Sequence, residues 1–193
     1  MARVPARPGG EHRRLRLLHR RERVVAPLLR VVLRRAREPR VWLAGCSSNP
    51  TGAWVTEQAR NLGLDLADQG ARLLIRDRDS KYIATFDEVL RSGGIRVVKT
   101  PVRAPQANAI AERLVITVRA ECLDWLLIGN RRHLERVMRV YVDHYNVHRP
   151  HRALKLQPPQ PREPPPTATP TVGEVRRHDR LGGLIHEYHR TAA

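Results

Sequence analysis

Residues 73–82 read Leu-Leu-Ile-Arg-Asp-Arg-Asp-Ser-Lys-Tyr. Three apolar residues that give way abruptly to alternating charge describe a short buried strand ending at solvent. Asp77 falls just past that strand. In open α/β sheets, functional groups gather outside the carboxyl ends of strands, where side chains project from a rigid base. Asp77 is therefore the first candidate for chemistry, with Arg78 and Asp79 beside it.

Regular patterning extends both ways from this stretch. Upstream, Val41-Trp42-Leu43-Ala44-Gly45 predicts a strand, and Asn49-Pro50-Thr51 a turn and helix cap. Val55, Ala59, Leu62 and Leu66 follow at helical spacing, closing near Gly70. Downstream, Phe86, Val89 and Leu90 mark a short helix stopped by Gly93-Gly94, and Ile95-Arg96-Val97-Val98 the next strand. Strand, helix, strand, helix, strand is an α/β order. A loop with two prolines, Thr100 to Gln106, leads to a helix over 107–123. A second helix covers 132–147, with the stripe Leu134, Val137, Met138, Tyr141 and Tyr145. Pro150 ends it. No internal repeat is evident.

Glu112 lies on the first of these helices, 35 positions after Asp77. Two carboxylates, one from a strand end and one from a helix, can converge on hard divalent cations, which take oxygen ligands. Two such ions activate an attacking oxygen and stabilise a leaving oxygen in phosphoryl transfer. Taken alone, such an Asp–Glu pair is far more often two surface charges than a metal site.

Four motifs in order change that balance. Arg76-Asp77-Arg78-Asp79-Ser80-Lys81-Tyr82 resembles the integrase-core motif in which the second catalytic Asp precedes a small turn and an aromatic. Lys99-Thr100-Pro101, then Pro105-Gln106-Ala107-Asn108 with Glu112-Arg113, resembles the stretch that delivers the catalytic Glu. Arg119, seven residues after Glu112, matches a basic residue of the same helix face. Tyr145-Asn146-Val147-His148-Arg149-Pro150-His151-Arg152-Ala153-Leu154 is similar to the signature closing the core of insertion-sequence transposases. Over residues 41–160 the chain resembles the integrase-core (DDE, retroviral-integrase-like) transposases of bacterial insertion sequences, actinobacterial type.

The resemblance implies an α/β, RNase H-like catalytic core, a mixed central sheet flanked by helices. It implies DNA integration and transposition by Mg²⁺- or Mn²⁺-dependent strand cleavage and transfer, with two ions in an intact family member. Asp77 and Glu112 would be catalytic metal ligands. Lys99, Arg103, Asn108, Arg113, Arg119, His148, Arg149 and Arg152 would meet DNA. The implied partners are transposon ends and target DNA, with no membrane; a homo-oligomer is compatible with the resemblance but not specified by it, and the location is the bacterial cytoplasm. Two features depart from the pattern. Asp79 stands where the family has a turn glycine. The family's first Asp lies 50–60 residues before the second, a window near residues 17–27, and no Asp precedes Asp65.

Residues 1–40 hold thirteen Arg and three Glu, a net of +10 out of the chain's +17, so the remainder still carries +7. They lack periodicity and read as an aberrant segment. One reading is out-of-frame translation of the missing strands, the family-like text resuming near Arg40. The other is a basic DNA-binding arm. The domain expectation is 1–40 aberrant or disordered, 41–156 a partial, N-terminally truncated or frameshifted catalytic core, 157–171 a Pro-rich linker, and 172–193 a tail. The tail would hold a strand, a Gly182-Gly183 turn and a short helix over 184–189. The enzyme would be defective because its first Asp is absent. The alternative is a non-catalytic DNA-binding remnant or a subunit interfering with an intact transposase.

Composition fits this frame. A strong positive excess favours a polyanionic partner. No run approaches the roughly 18 apolar residues of a membrane span. Cys46 and Cys122 lack metal-type spacing and suit a reducing compartment, and Cys122 reads as a small buried residue. Trp54, Trp125, Tyr141 and Tyr145 read as packing residues. The cluster His144, His148, Arg149, His151 and Arg152 reads as a basic, phosphate-facing helix end, because no Cys or spaced carboxylate in the text completes a ligand set.

Overall fold

The computed structural model describes residues 39–47, 49–102, 109–161 and 174–190, without the side chains of Ile110 and Arg190. Helix α1 (Gly52–Asp68) begins at Thr51, whose hydroxyl oxygen accepts the Trp54 amide at 3.2 Å. Its stripe buries Val55, Ala59 and Leu66. Strand β1 (Leu73–Arg76), helix α2 (Ala84–Ser92) and strand β2 (Arg96–Lys99) follow. Helix α3 (Ala109–Glu121) and helix α4 (Arg131–Val147) come next, and strands β3 (Val175–Arg180) and β4 (Ile185–Arg190) close the chain. Asn130 caps α4 by accepting the His133 amide at 2.9 Å. All five residues of the predicted α4 stripe are buried.

The architecture is mixed α/β with small sheets. Among the described residues these are two separate pairs rather than one mixed central sheet. β1 and β2 run parallel, Leu73 opposite Arg96 and Arg76 opposite Lys99. β3 and β4 form an antiparallel hairpin.

Two apolar clusters lie side by side. One gathers α1, β1 and α2 around Leu66, Leu74, Phe86 and Ile95. The other gathers α3, α4 and β4 around Val118, Leu134, Tyr141 and Ile185. Residues 41–46 run between them, with Trp42 and Ala44 against the first cluster and Val41, Leu43 and Cys46 against the second. Over 41–44 this alternation is strand-like until Cys46 breaks it, and the segment forms no strand pairing, contrary to expectation. Its anchor is Asn146 of α4. The Asn146 side chain accepts the Val41 amide at 2.9 Å and donates to the Val41 carbonyl at 2.8 Å. A side-chain amide has one acceptor and one donor face, so it can stand in for a neighbouring strand at one residue.

Three local expectations change. β1 is not buried on both faces: Leu74 and Arg76 point into the core, whereas Leu73 and Ile75 are 42% and 59% exposed. A period of two on a sheet covered on one face produces that pattern. Residues 184–189 form β4 rather than a helix. Leu181, Gly182 and Gly183 take positive φ (52°, 69° and 87°) and reverse the chain, after which Ile185 and Glu187 face inward and His186 and Tyr188 outward. Trp125 is 71% exposed, its indole N–H donating to the Ala120 carbonyl, and is not a packing residue.

Candidate functional site

The exit of β1 is fixed by its own charged residues. Arg76 faces the core with its side chain 4% exposed. Its Nε and Nη2 donate to Asp87 Oδ1 and Oδ2 on α2, both at 2.8 Å. A third donor, Nη1, reaches the Asp77 carbonyl at 2.9 Å, and the guanidinium lies 5.2 Å from the Tyr82 ring centre. The fork geometry of Arg suits a bidentate carboxylate partner. The Arg76 hydrogen bonds hold the Asp87 carboxyl below its usual pKa, against the upward push of burial.

Asp77 is half-buried just beyond this anchor. Its Oδ1 accepts the Asp79 amide at 3.1 Å, a local turn typical of Asp. Asp79 in turn accepts the Lys81 amide at 2.9 Å and pairs with the Lys81 ammonium at 3.3 Å. Arg78 Nε donates to the Thr100 carbonyl at 3.0 Å, and the Thr100 amide to the Arg76 carbonyl at 2.8 Å. The carboxyl ends of β1 and β2 are thus stapled side by side. Asp77 leaves one, and the chain leading to Glu112 leaves the other.

Glu112 stands exposed in the first turn of α3, with Arg113 exposed beside it. A carboxylate there faces the positive end of the helix dipole. Lys99 is exposed at the end of β2, and Arg103 and Asn108 lie outside the described residues. Arg119, on the same helix as Glu112, is 3.5 Å from Asp124.

The far end of α3 is tied to α4 through Glu121, which sequence reasoning missed. Its Oε2 accepts the Tyr141 hydroxyl at 2.7 Å and Arg149 Nε at 2.8 Å. Burial pushes the Glu121 carboxyl up, but the hydrogen bonds from Arg149 and Tyr141 outweigh it and leave the pKa below its usual value. Burial, then Glu121, pushes Tyr141 well above the ordinary phenol range. The Arg149 guanidinium lies 5.3 Å from the Tyr145 ring centre. Arg152 is exposed on a single 3-10 turn, Arg152–Leu154.

His148 caps the end of α4, and the absence of a carboxylate near it in the sequence is corrected by the fold. Glu187 of β4, its side chain 1% exposed, lies 3.2 Å from His144 Nδ1 and 3.6 Å from His148 Nε2. His189 of β4 completes a group with His148 and Glu187 whose ligand atoms all lie within 4.8 Å of one another. A cavity of about 220 Å³, lined by Leu43, Cys46, Trp54, Gln58 and Arg131 among others, includes none of the site residues singled out from the sequence.

Among the described residues no helix is long and apolar enough to cross a membrane. No curated protein and no solved structure matches the chain. Residues 93–159 match the family model described as integrase core domain. That stretch carries Glu112, Arg119 and the run from Tyr145 to Leu154, while Asp77 precedes it. For this third of the chain, the match supports an integrase-core, transposase-type family.

Proposed function

We propose that the chain is a DDE-type transposase or integrase core, acting on DNA, in which Asp77 and Glu112 are the surviving metal-binding carboxylates. The observation carrying this reading is the integrase-core match over 93–159, which includes Glu112, downstream of an Asp77 held at the stapled ends of two parallel strands. An RNase H-like core is the fold this reading implies. Two carboxylates are a fitting donor set for Mg²⁺ or Mn²⁺, which prefer oxygen. Bound there, the ions would supply Lewis acidity to a phosphodiester. The protein's own part is positional: Arg76 and Arg78 fix the turn that carries Asp77, and Glu121 fixes the helix that carries Glu112. Lys99, Arg113, Arg119 and Arg152 supply positive charge for phosphate.

No Asp precedes Asp65, so a third carboxylate is lacking in the expected place and cation charge would go uncompensated. This copy is therefore expected to bind DNA and fail at strand transfer, as a remnant or an interfering subunit would. The test is a strand-transfer assay of the full chain with Mg²⁺ or Mn²⁺, on DNA carrying the ends of the element that encodes it, beside a salt-dependent binding titration. Binding that weakens steeply with salt, without transfer, is the expected result. Robust transfer refutes the defect, and absence of DNA binding refutes the reading as a whole.

A further inference from the structure

The C-terminal hairpin carries a buried acid whose surroundings are unusual. Glu187 sits among His144 of α4, His148 that caps α4, His178 of β3 at 3.7 Å, and Arg180 at 3.7 Å. Arg180 is the permanent cation among them, and it also pairs with Asp143 at 3.0 Å. A buried carboxylate needs close compensation. Glu187 and His189 are two apart on β4 and so share a face, which turns both toward His148 at the end of α4.

We propose that His148, Glu187 and His189 form a binding site for a borderline transition-metal ion of the Zn²⁺ class, pinning the C-terminal hairpin to α4. Two imidazoles and one carboxylate make a three-ligand set, leaving a further position to solvent. Ligand atoms on one tetrahedral zinc stand roughly 3.3 Å apart, given metal–ligand distances near 2.0–2.1 Å. The present spread, within 4.8 Å, closes to that by side-chain rotation about a buried acid already in place. His144 Nδ1, at 3.2 Å from Glu187 Oε1, orients the carboxylate from outside the ligand set, as groups behind metal ligands commonly do. Nitrogen donors select Zn²⁺, Co²⁺ or Ni²⁺ over Mg²⁺, so this site differs in chemistry from the Asp77–Glu112 pair and does not depend on the reading given to that pair.

The test is a Co²⁺ titration of the chelator-treated full chain followed by visible d–d absorption, with Zn²⁺ as competitor. The expected result is a visible band of low-coordinate cobalt that one equivalent of Zn²⁺ removes. H148A and H189A, each checked for native circular dichroism, should abolish the band. H144A should weaken binding about 10–100-fold. H186A, at an outward-facing position of β4, and the double variant D77N/E112Q should leave it intact. Absence of the band in the wild-type chain overturns the proposal. So does a band that survives H148A and H189A, or one lost only in D77N/E112Q.

Discussion

Arg76 and Asp87 form a bidentate ion pair inside the protein, both side chains nearly sealed from solvent and eleven residues apart. The pair fastens the end of β1 to α2 immediately before Asp77. Removing one member of such a pair leaves an uncompensated buried charge, at a cost of about 3–5 kcal/mol. D87N should therefore lower the urea midpoint sharply, whereas R76M/D87L, which removes both charges, should cost far less. Equal losses in the two variants would mean the pair is not coupled.

The same pair sets an acid limit. The folded pKa of Asp87 is depressed, so its contribution is complete above the unfolded carboxyl pKa and is lost as pH falls through the folded value. The window lies below about pH 4, since an unperturbed Asp titrates near 3.9. Stability of the wild-type chain measured against pH should fall there more steeply than that of R76M/D87L.

Both cysteines should be silent in the native state. Cys46 and Cys122 are 1% and 0% exposed, and burial, followed by the charges of Glu135 and Glu121 respectively, raises each thiol to about 12. Thiolate is the reactive form. Iodoacetamide at pH 8 should add nothing to the folded chain and two groups to the chain unfolded in urea, read by mass spectrometry.

Asn146 should matter out of proportion to its size. N146A deprives the Val41 amide and carbonyl of their shared partner, each a buried polar group worth about 1–3 kcal/mol when left unsatisfied. Limited proteolysis should then cut within residues 39–47 faster than in the wild type.

The basic residues near the end of α4 should separate by role. R152Q removes an exposed charge and should reduce the salt slope of DNA binding by about one unit without changing stability. R149Q removes a partner of Glu121 and should lower stability instead.

The parts legible in the sequence are those with a strong local period. The α4 stripe from Leu134 to Tyr145 falls inside entirely, because five apolar residues on one helical face leave few alternatives. Residues 184–189 mislead because six residues with mixed apolar and polar character suit either period. Their true pattern depends on the reversal at Leu181–Gly183, where Leu181 takes positive φ without being glycine. Asp77 is legible from the strand before it, but Arg76 is not, since a charged residue in a strand reads as solvent-facing. Its one signal is that it shares a face with Leu74. Glu187 escapes notice for a different reason: His144 precedes it by 43 residues, and no short-range spacing registers a meeting across that length.

The ribbon of residues 41–46 acts as a party wall between two apolar rooms, its side chains furnishing both. Neither room can be emptied without disturbing the wall, so the two halves of the molecule should melt in a single transition, and a fragment beginning after residue 47 should lose cooperativity in both.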